Sequence, residues 1–532
     1  MPIRMDDDRK KSSGNDNYPG RNTNNPRTPG KGGGGLIGSL LPLLLKNPKL
    51  LILGVVAFFG YQYLMGGGCG DMSGGGGGGG ITSLITDGLF STGFDANPTK
   101  YDATEIYEPL ADNKKNPLPE KVSLLEHAPK RLNQGRQGSC VGWASSYAAR
   151  TIIQSQASGN DPNSLAFSPS YLYNQIALNE NCQGAYLHTA MKYMKEGGVA
   201  PFNEYGYDEN SCYFNADSRD KQVAQSYKIN GFQRLTKGDN IKKVDYVAMK
   251  QHLAQGAPVV IGMMVGGSFM QGMMGQDVWI PKQSDYNQSG FGGHAMCVIG
   301  YDDYKYGNEG AFQIMNSWGP EWGKNGVGWV RYKDFEIFNK EAYGIYPMGD
   351  ADKPQGTVNE ISFGLYLTNQ KDYVELKQNF SGVMASTSPL AKGKNGSRFK
   401  VEVTNSLPCY IYIFGAEQDN SSYVLFPYTS KHSPYCGITG TRVFPNDKSM
   451  YPDSEGEKDR IAVVVTNEPL DYDSFNSKLN NASGSSFKEK LDNALGADKK
   501  DISVQNTGKN LKFNTELTGS QKAGWVIELD KK

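Results

Sequence analysis

Apolar positions along this chain fall into distinct regimes. Residues 1–35 carry almost no large apolar side chains, and Pro, Asn, Gly and charge dominate. Such a segment cannot offset the entropy of ordering and is expected to stay disordered. Two continuous apolar runs follow, 36–45 and 50–65, separated by Lys46-Asn47-Pro48-Lys49. A glycine-dominated stretch, 66–80, then breaks all periodicity, and 81–117 is mixed and turn-rich. From Leu118 the texture is that of a folded protein. Leu187–Met194 has helical spacing and stops at Gly197-Gly198; Tyr246–Ala254 is a helix between a capping Asp245 and Gly256; Val259–Val265 is a continuous run expected as a buried strand. Beyond residue 350, short runs at Phe399–Val403, Tyr410–Phe414, Ile461–Val465 and Trp525–Leu529 are separated by turn residues. These predict a small all-β sandwich carrying one short helix over Phe487–Leu495.

The pattern divides the chain into a disordered tail (1–35), a membrane anchor (36–66), a tether and linker (67–117), a folded central domain (118–348) and a β-rich accessory domain (349–532). The run 50–65 has 16 residues, somewhat under the roughly 20 that span a bilayer, but flanking glycines can extend it. It starts too far from Met1 for a signal peptide and no A-x-A site follows. Arg4, Arg9, Lys10, Lys11, Arg21, Arg27, Lys31, Lys46 and Lys49 precede it, whereas the first basic residue after it is Lys100. The positive-inside rule then expects a single-pass protein with a cytoplasmic N-terminus and everything after residue 66 outside, periplasmic or extracellular.

Composition narrows the chemistry. Lys+Arg and Asp+Glu are equal at 55 each, so no overall charge draws the chain to nucleic acid. Seven cysteines without a CxxC pair, and only five histidines, speak against a metal site; no cofactor is expected. Cys182 with Cys212, and Cys409 with Cys436, are plausible disulfides in an oxidising compartment.

Three stretches carry candidate chemistry. Asn133-Gln134-Gly135-Arg136-Gln137-Gly138-Ser139-Cys140 ends at a helix-compatible run, so Cys140 is expected at a helix N-terminus, where a thiolate is favoured. Gly292-Gly293-His294-Ala295-Met296-Cys297 places a histidine at the entry of an apolar strand, and Asn316-Ser317-Trp318-Gly319-Pro320-Glu321-Trp322-Gly323 follows another strand. Singly, each is better read as core or turn. Together, in the order Gln, Cys, His, Asn, residues 118–348 resemble the papain-like cysteine peptidases.

The resemblance implies an α+β, two-lobed fold: a helical lobe bearing Cys140 and a β-barrel-like lobe bearing His294 and Asn316. It implies Cys140 as nucleophile, His294 as its acid–base partner, Asn316 as the orienting group and Gln134 as an oxyanion donor. Gly184, Ala185, Gly293 and Trp318 would border the substrate, a protein or peptide. The first cysteine of the family's C-G-[SA]-C-[WY] pattern is Gln137 here, and the aromatic after the nucleophile is Val141, with Trp143 two positions on. Cys182 thereby lacks its usual partner, and a Cys182–Cys212 bridge would be a rewired one. Competing functions are a non-catalytic envelope scaffold on the same fold and a thiol amidase acting on cell-wall peptide. The C-terminal domain could bind an envelope partner.

Overall fold

In residues 118–346 the strands Val259–Val265 and Ala311–Met315 are buried almost throughout, as is Gly292–Asp302 from His294 to Tyr301. A computed structural model describes residues 3–7, 90–111, 114–212, 216–346, 359–506 and 509–532. Helices cluster first in the chain. A continuous helical run begins at Cys140, is π-helical over Trp143–Arg150 and finishes with Thr151–Ser158, closed by Gly159 in the left-handed region. Pro169–Ile176 is capped by Ser168, whose side chain accepts from the Tyr171 N–H, and Leu187–Glu196 stops at Gly197.

The second part is one eight-stranded sheet. Its pairing runs Gly231–Arg234, Asn339–Tyr346, Val259–Val265, Gly292–Asp302, Ala311–Met315, Val327–Arg331, Val278–Trp279, with Lys121–Ser123 added to Gly292–Asp302. The path does not close into a barrel. Val259–Val265 and Gly292–Asp302 are antiparallel, with Met263 opposite His294 and Gly262 opposite Ala295. That register sets the face on which His294 sits. Tyr246–Ala254 packs alongside, its N-terminus capped by Asp245 accepting from Val247 and Ala248.

The C-terminal domain is a sandwich of two sheets around a core that includes Phe363, Val401, Ile411, Val463, Trp525 and Ile527. It is not all-β. Tyr472–Asn481 and Phe487–Leu495 are helices that cover the outer face of one sheet, burying Phe475, Leu479, Phe487 and Leu491 against Tyr412, Phe414 and Val464. The strands under them are apolar on both faces, which demands such a cover. Residues 104–111 tie this domain to the catalytic one. Ile106 N–H donates to Lys431 O, Ser433 N–H to Ile106 O, Tyr107 N–H to Arg234 O and Ala111 N–H to Thr441 O. The fully buried Arg442 completes the seam, donating to Glu108 O, Asn405 Oδ1 and Ile438 O.

Two expectations change. Disorder across 1–35 does not hold for Ile3–Asp7, which pairs antiparallel with Lys448–Pro452. Ile3, buried in the sandwich core, gives this short segment its apolar contact. Cys409 and Cys436 stand opposite one another on paired strands, yet no disulfide joins them; the Cys436 thiol donates to Pro434 O at 3.7 Å. Cys182 and Cys212 are disulfide-bonded. The expected anchor at 36–66 lies outside the described residues; among the described residues no helix is long and apolar enough to cross a membrane.

Candidate active site

Cys140 is the first residue of its helix, and its Sγ accepts a hydrogen bond from the Ala295 N–H at 3.3 Å. The neighbouring His294 comes from the strand Gly292–Asp302, so helix start and strand meet at this point. His294 Nε2 contacts Asn316 Oδ1 at 2.7 Å. The other ring nitrogen, Nδ1, has no hydrogen-bond partner. Trp318 lies face to face on the imidazole, ring centroids 4.2 Å apart and planes 20° from parallel, which shields the His294–Asn316 bond from water.

Asn316 and Gln134 are linked through Ser317. The Ser317 N–H donates to Asn316 Oδ1, and the Ser317 hydroxyl donates to Gln134 Oε1 at 2.6 Å. Gln134 Nε2 donates one hydrogen to Gln137 O at 2.9 Å and keeps a second. The Tyr207 hydroxyl donates to Gln134 O and lies 2.7 Å from Ser139 Oγ. Ser317 and Tyr207 are the fastening residues that sequence reasoning missed; nothing but their place beside Asn316 and the disulfide loop marks them. Of the departures from the family pattern, Val141 is fully buried and Trp143 packs edge-on to Tyr147 and Tyr207, so neither opens onto the cleft.

The cleft is occupied by the chain itself. Residues 90–97 cross it as an extended strap. Gly93 and Phe94 N–H groups both reach Gly293 O, at 3.1 and 3.0 Å; Asp95 N–H donates to Ala185 O, and Ala185 N–H to Gly93 O. Trp318 Nε1 donates to Ser91 O at 2.8 Å, and Phe90 packs edge-on to Trp318. The positions expected to border a substrate, Gly184, Ala185, Gly293 and Trp318, are thus the ones the strap covers. Glycines make the approach possible: a Cβ on Gly93 would come within 2.0 Å of Gly138 O, and one on Gly293 within 2.1 Å of Phe94 O. The Phe94 ring fills a hole floored by Gly262, where an added Cβ would lie 2.3 Å from its tip. From sequence the segment 81–117 reads as a linker or a wrap around the next domain, with a short cleft-blocking propeptide left open; Phe90 and Phe94 are the residues that carry the strap's contacts.

Burial under the strap acts on both reactive groups. Cys140 and His294 are wholly inaccessible to solvent. Burial pushes the Cys140 thiol up to about 12, against the opposing pull of nearby backbone N–H groups. It pushes His294 down to about 4, although the Asn316 contact favours the imidazolium. Thiol and imidazole are both neutral near pH 7 in this state. Among the described residues no group of three or more His, Cys, Asp or Glu side chains is arranged to hold a metal ion.

Residues 120–346 match the sequence profile of a family described as "Papain family cysteine protease". An uncharacterized peptidase C1-like protein of Acanthamoeba polyphaga mimivirus is 29% identical over 222 residues, covering 40% of this chain and 68% of the relative. Cathepsin K of Mus musculus is 28% identical over 197 residues, 36% of this chain and 53% of the relative. Among solved structures, xylellain, a cysteine protease from Xylella fastidiosa, aligns with 98% of its own chain and 50% of this one, at 22% identity and a TM-score of 0.41.

Proposed function

Proceeding from the membership of residues 120–346 in the papain family of cysteine proteases, we propose a cysteine peptidase that hydrolyses peptide bonds with Cys140, His294, Asn316 and Gln134 and that the strap 90–97 holds latent. The family fixes a protein or peptide as substrate; the four roles are our reading. Once the cleft is open, Cys140 at its helix start becomes a thiolate, aided by the helix dipole and the imidazolium of His294. The thiolate attacks the scissile carbonyl. The remaining Gln134 Nε2 hydrogen and the Cys140 N–H hold the oxyanion, and His294 protonates the leaving amine. Asn316 keeps the ring oriented while Trp318 keeps that bond dry.

The observation that carries this reading is the fastening chain His294–Asn316–Ser317–Gln134, which ties base, orienter and oxyanion donor into one set of hydrogen bonds. A scaffold without catalysis has no use for it. Latency rests on the strap's contacts with four cleft positions. Its downstream end is fixed by residues 104–111 to the C-terminal domain, so release is a peeling from the upstream end.

The test is labelling with an epoxide or vinyl-sulfone thiol probe after limited proteolysis upstream of the strap. Wild type should be labelled at Cys140 and Cys140→Ala should not; equal labelling of the two would end the peptidase reading. On the released enzyme, Gln134→Ala should lower kcat by roughly 10²–10³ with the melting temperature held within a few degrees. An unchanged kcat would remove Gln134 from the site.

A further inference from the structure

The C-terminal domain buries a lysine and two aspartates where a sandwich core should be apolar. Lys458–Thr466 and Lys522–Asp530 are paired antiparallel strands, with Asp459 opposite Leu529, Ile461 opposite Ile527 and Val463 opposite Trp525. Strand alternation puts Asp459, Ile461 and Val463 on one face, and Lys531, Leu529, Ile527 and Trp525 on the same face of the neighbouring strand's line. All of these apolar residues belong to the sandwich core. Lys531 and Asp459 therefore continue an apolar row inward, and their side chains are fully buried.

The contacts are close. Lys531 Nζ lies 2.7 Å from Asp459 Oδ1 and donates to Asp453 Oδ1 at 2.9 Å and to Glu455 O. The two carboxylates are held differently. Asp453 also accepts from the Glu455 N–H. Asp459 has the Lys531 amine at 2.7 Å from Oδ1. Burial pushes the Asp459 carboxyl up to about 6, toward its protonated, electrophilic form. A buried ion pair of this kind carries a desolvation cost that its attraction does not always recover. Condensation removes both charges.

We propose that Lys531 and Asp459 form an isopeptide bond, an amide cross-link that staples the residue following Lys522–Asp530 to the neighbouring strand, with Asp453 as the proton acceptor. Asp453 takes a proton from the Lys531 ammonium. The free amine attacks Cγ of protonated Asp459; one C–N bond forms and one C–O bond breaks. The leaving hydroxyl takes a proton from the attacking nitrogen and departs as water, and the ammonium's extra proton remains on Asp453. No oxidant, metal or cofactor enters the balance. The cross-link would lock the strand Lys522–Asp530 to its neighbour Lys458–Thr466.

The test is mass spectrometry of the full-length folded protein and of its proteolytic digest. The expected result is a branched peptide joining the segments that contain Asp459 and Lys531, lighter than the sum of its parts by one water. Asp459→Asn should give the identical branched product, having lost ammonia instead of water. Lys531→Arg, which keeps the charge but not the nucleophilic amine, should give only linear peptides. If wild-type digests contain linear peptides alone, with trypsin cutting after Lys531, the three residues are an ion pair only and the proposal is overturned. The wild-type result decides this even if a variant fails to fold.

Discussion

Ala185 spends both main-chain hydrogen bonds on the residues flanking Phe94, donating to Gly93 O and accepting from the Asp95 N–H. The strap thus lies as an added strand beside a cleft wall and contributes a side chain to the cleft's interior. Phe94 is the part of this contact that mutation can remove without touching the catalytic groups. Truncating a buried Phe costs about 3–5 kcal/mol, and here the cost falls on the closed state. Phe94→Ala in the intact chain should raise the rate of Cys140 labelling by a thiol probe by roughly two to four orders of magnitude. Labelling at the wild-type rate would show that something other than the strap limits access.

The hole that Phe94 fills predicts a preference. Its floor is Gly262, opposite Ala295 in the register, and its side is Gly293, opposite Met264, two positions without side chains. A substrate that seats an aromatic side chain there reproduces the strap's own packing. Gly262→Val puts atoms where the ring tip now lies. It should unlatch the intact chain and, on the released enzyme, lower kcat/KM for peptides carrying an aromatic at that subsite by roughly tenfold or more relative to peptides carrying alanine. Profiling both enzymes against one peptide mixture gives the ratio; an unchanged ratio would place the specificity elsewhere.

Much of the site was legible because its chemistry is local. Asn316-Ser317-Trp318 is one short stretch, and a single turn delivers the orienting amide, the Gln134 anchor and the ring that covers His294. Helices with clear stops, such as Leu187–Glu196, and the capped Tyr246–Ala254 could be read from spacing and end residues. What was not legible depended on contacts far apart in sequence. Phe94 reads as a stray aromatic until Gly262 leaves room for it. Tyr472–Asn481 has too few apolar residues to stand out, and is a helix because Phe475 and Leu479 cover Phe414 and Val464. Cys409 and Cys436 were paired by spacing, and the register did place them opposite, but the thiols stay apart.

His252 sets an acid limit on stability. It is fully buried at the joint of the two domains, with Nδ1 on Ala248 O, Nε2 on the Tyr346 hydroxyl and Tyr107 edge-on to the ring. Burial pushes it down to about 4. Because the folded value lies below the unfolded one, the stability it contributes is present above about 6.5 and is lost as pH falls through about 4, a total of about 3 kcal/mol. His294 adds a loss of the same sign over the same window while the strap is closed. Glu108, pushed up to about 8 by burial, works in the opposite direction: its contribution is present below about 4.5 and fades as pH rises through 8. His252→Gln should therefore shrink the fall in melting temperature between pH 7 and pH 4.5. A variant that loses as many degrees as wild type over that interval would clear His252 of the effect.

The pairing of Met5 with Met450 constrains how the chain meets a membrane. The basic tail and the apolar run at 50–65 lead one to expect a single crossing with the tail inside. A chain that crossed once between residues 8 and 89 would put Ile3–Asp7 and Lys448–Pro452 on opposite sides of the bilayer. The strand pairing within one molecule and a single crossing therefore exclude each other. Met5→Cys combined with Met450→Cys decides between them, since register partners in an antiparallel pair have Cα atoms about 4.5–5.5 Å apart, within the range a disulfide spans. Mild oxidation of the membrane fraction and of the soluble fraction should give a cross-link within a single chain, seen as a faster-migrating monomer that reverts on reduction. The tail, the catalytic cleft and the C-terminal domain then share one compartment. If no intrachain cross-link forms while Cys182–Cys212 remains oxidised, the tail is not docked on the sandwich and the single crossing stands.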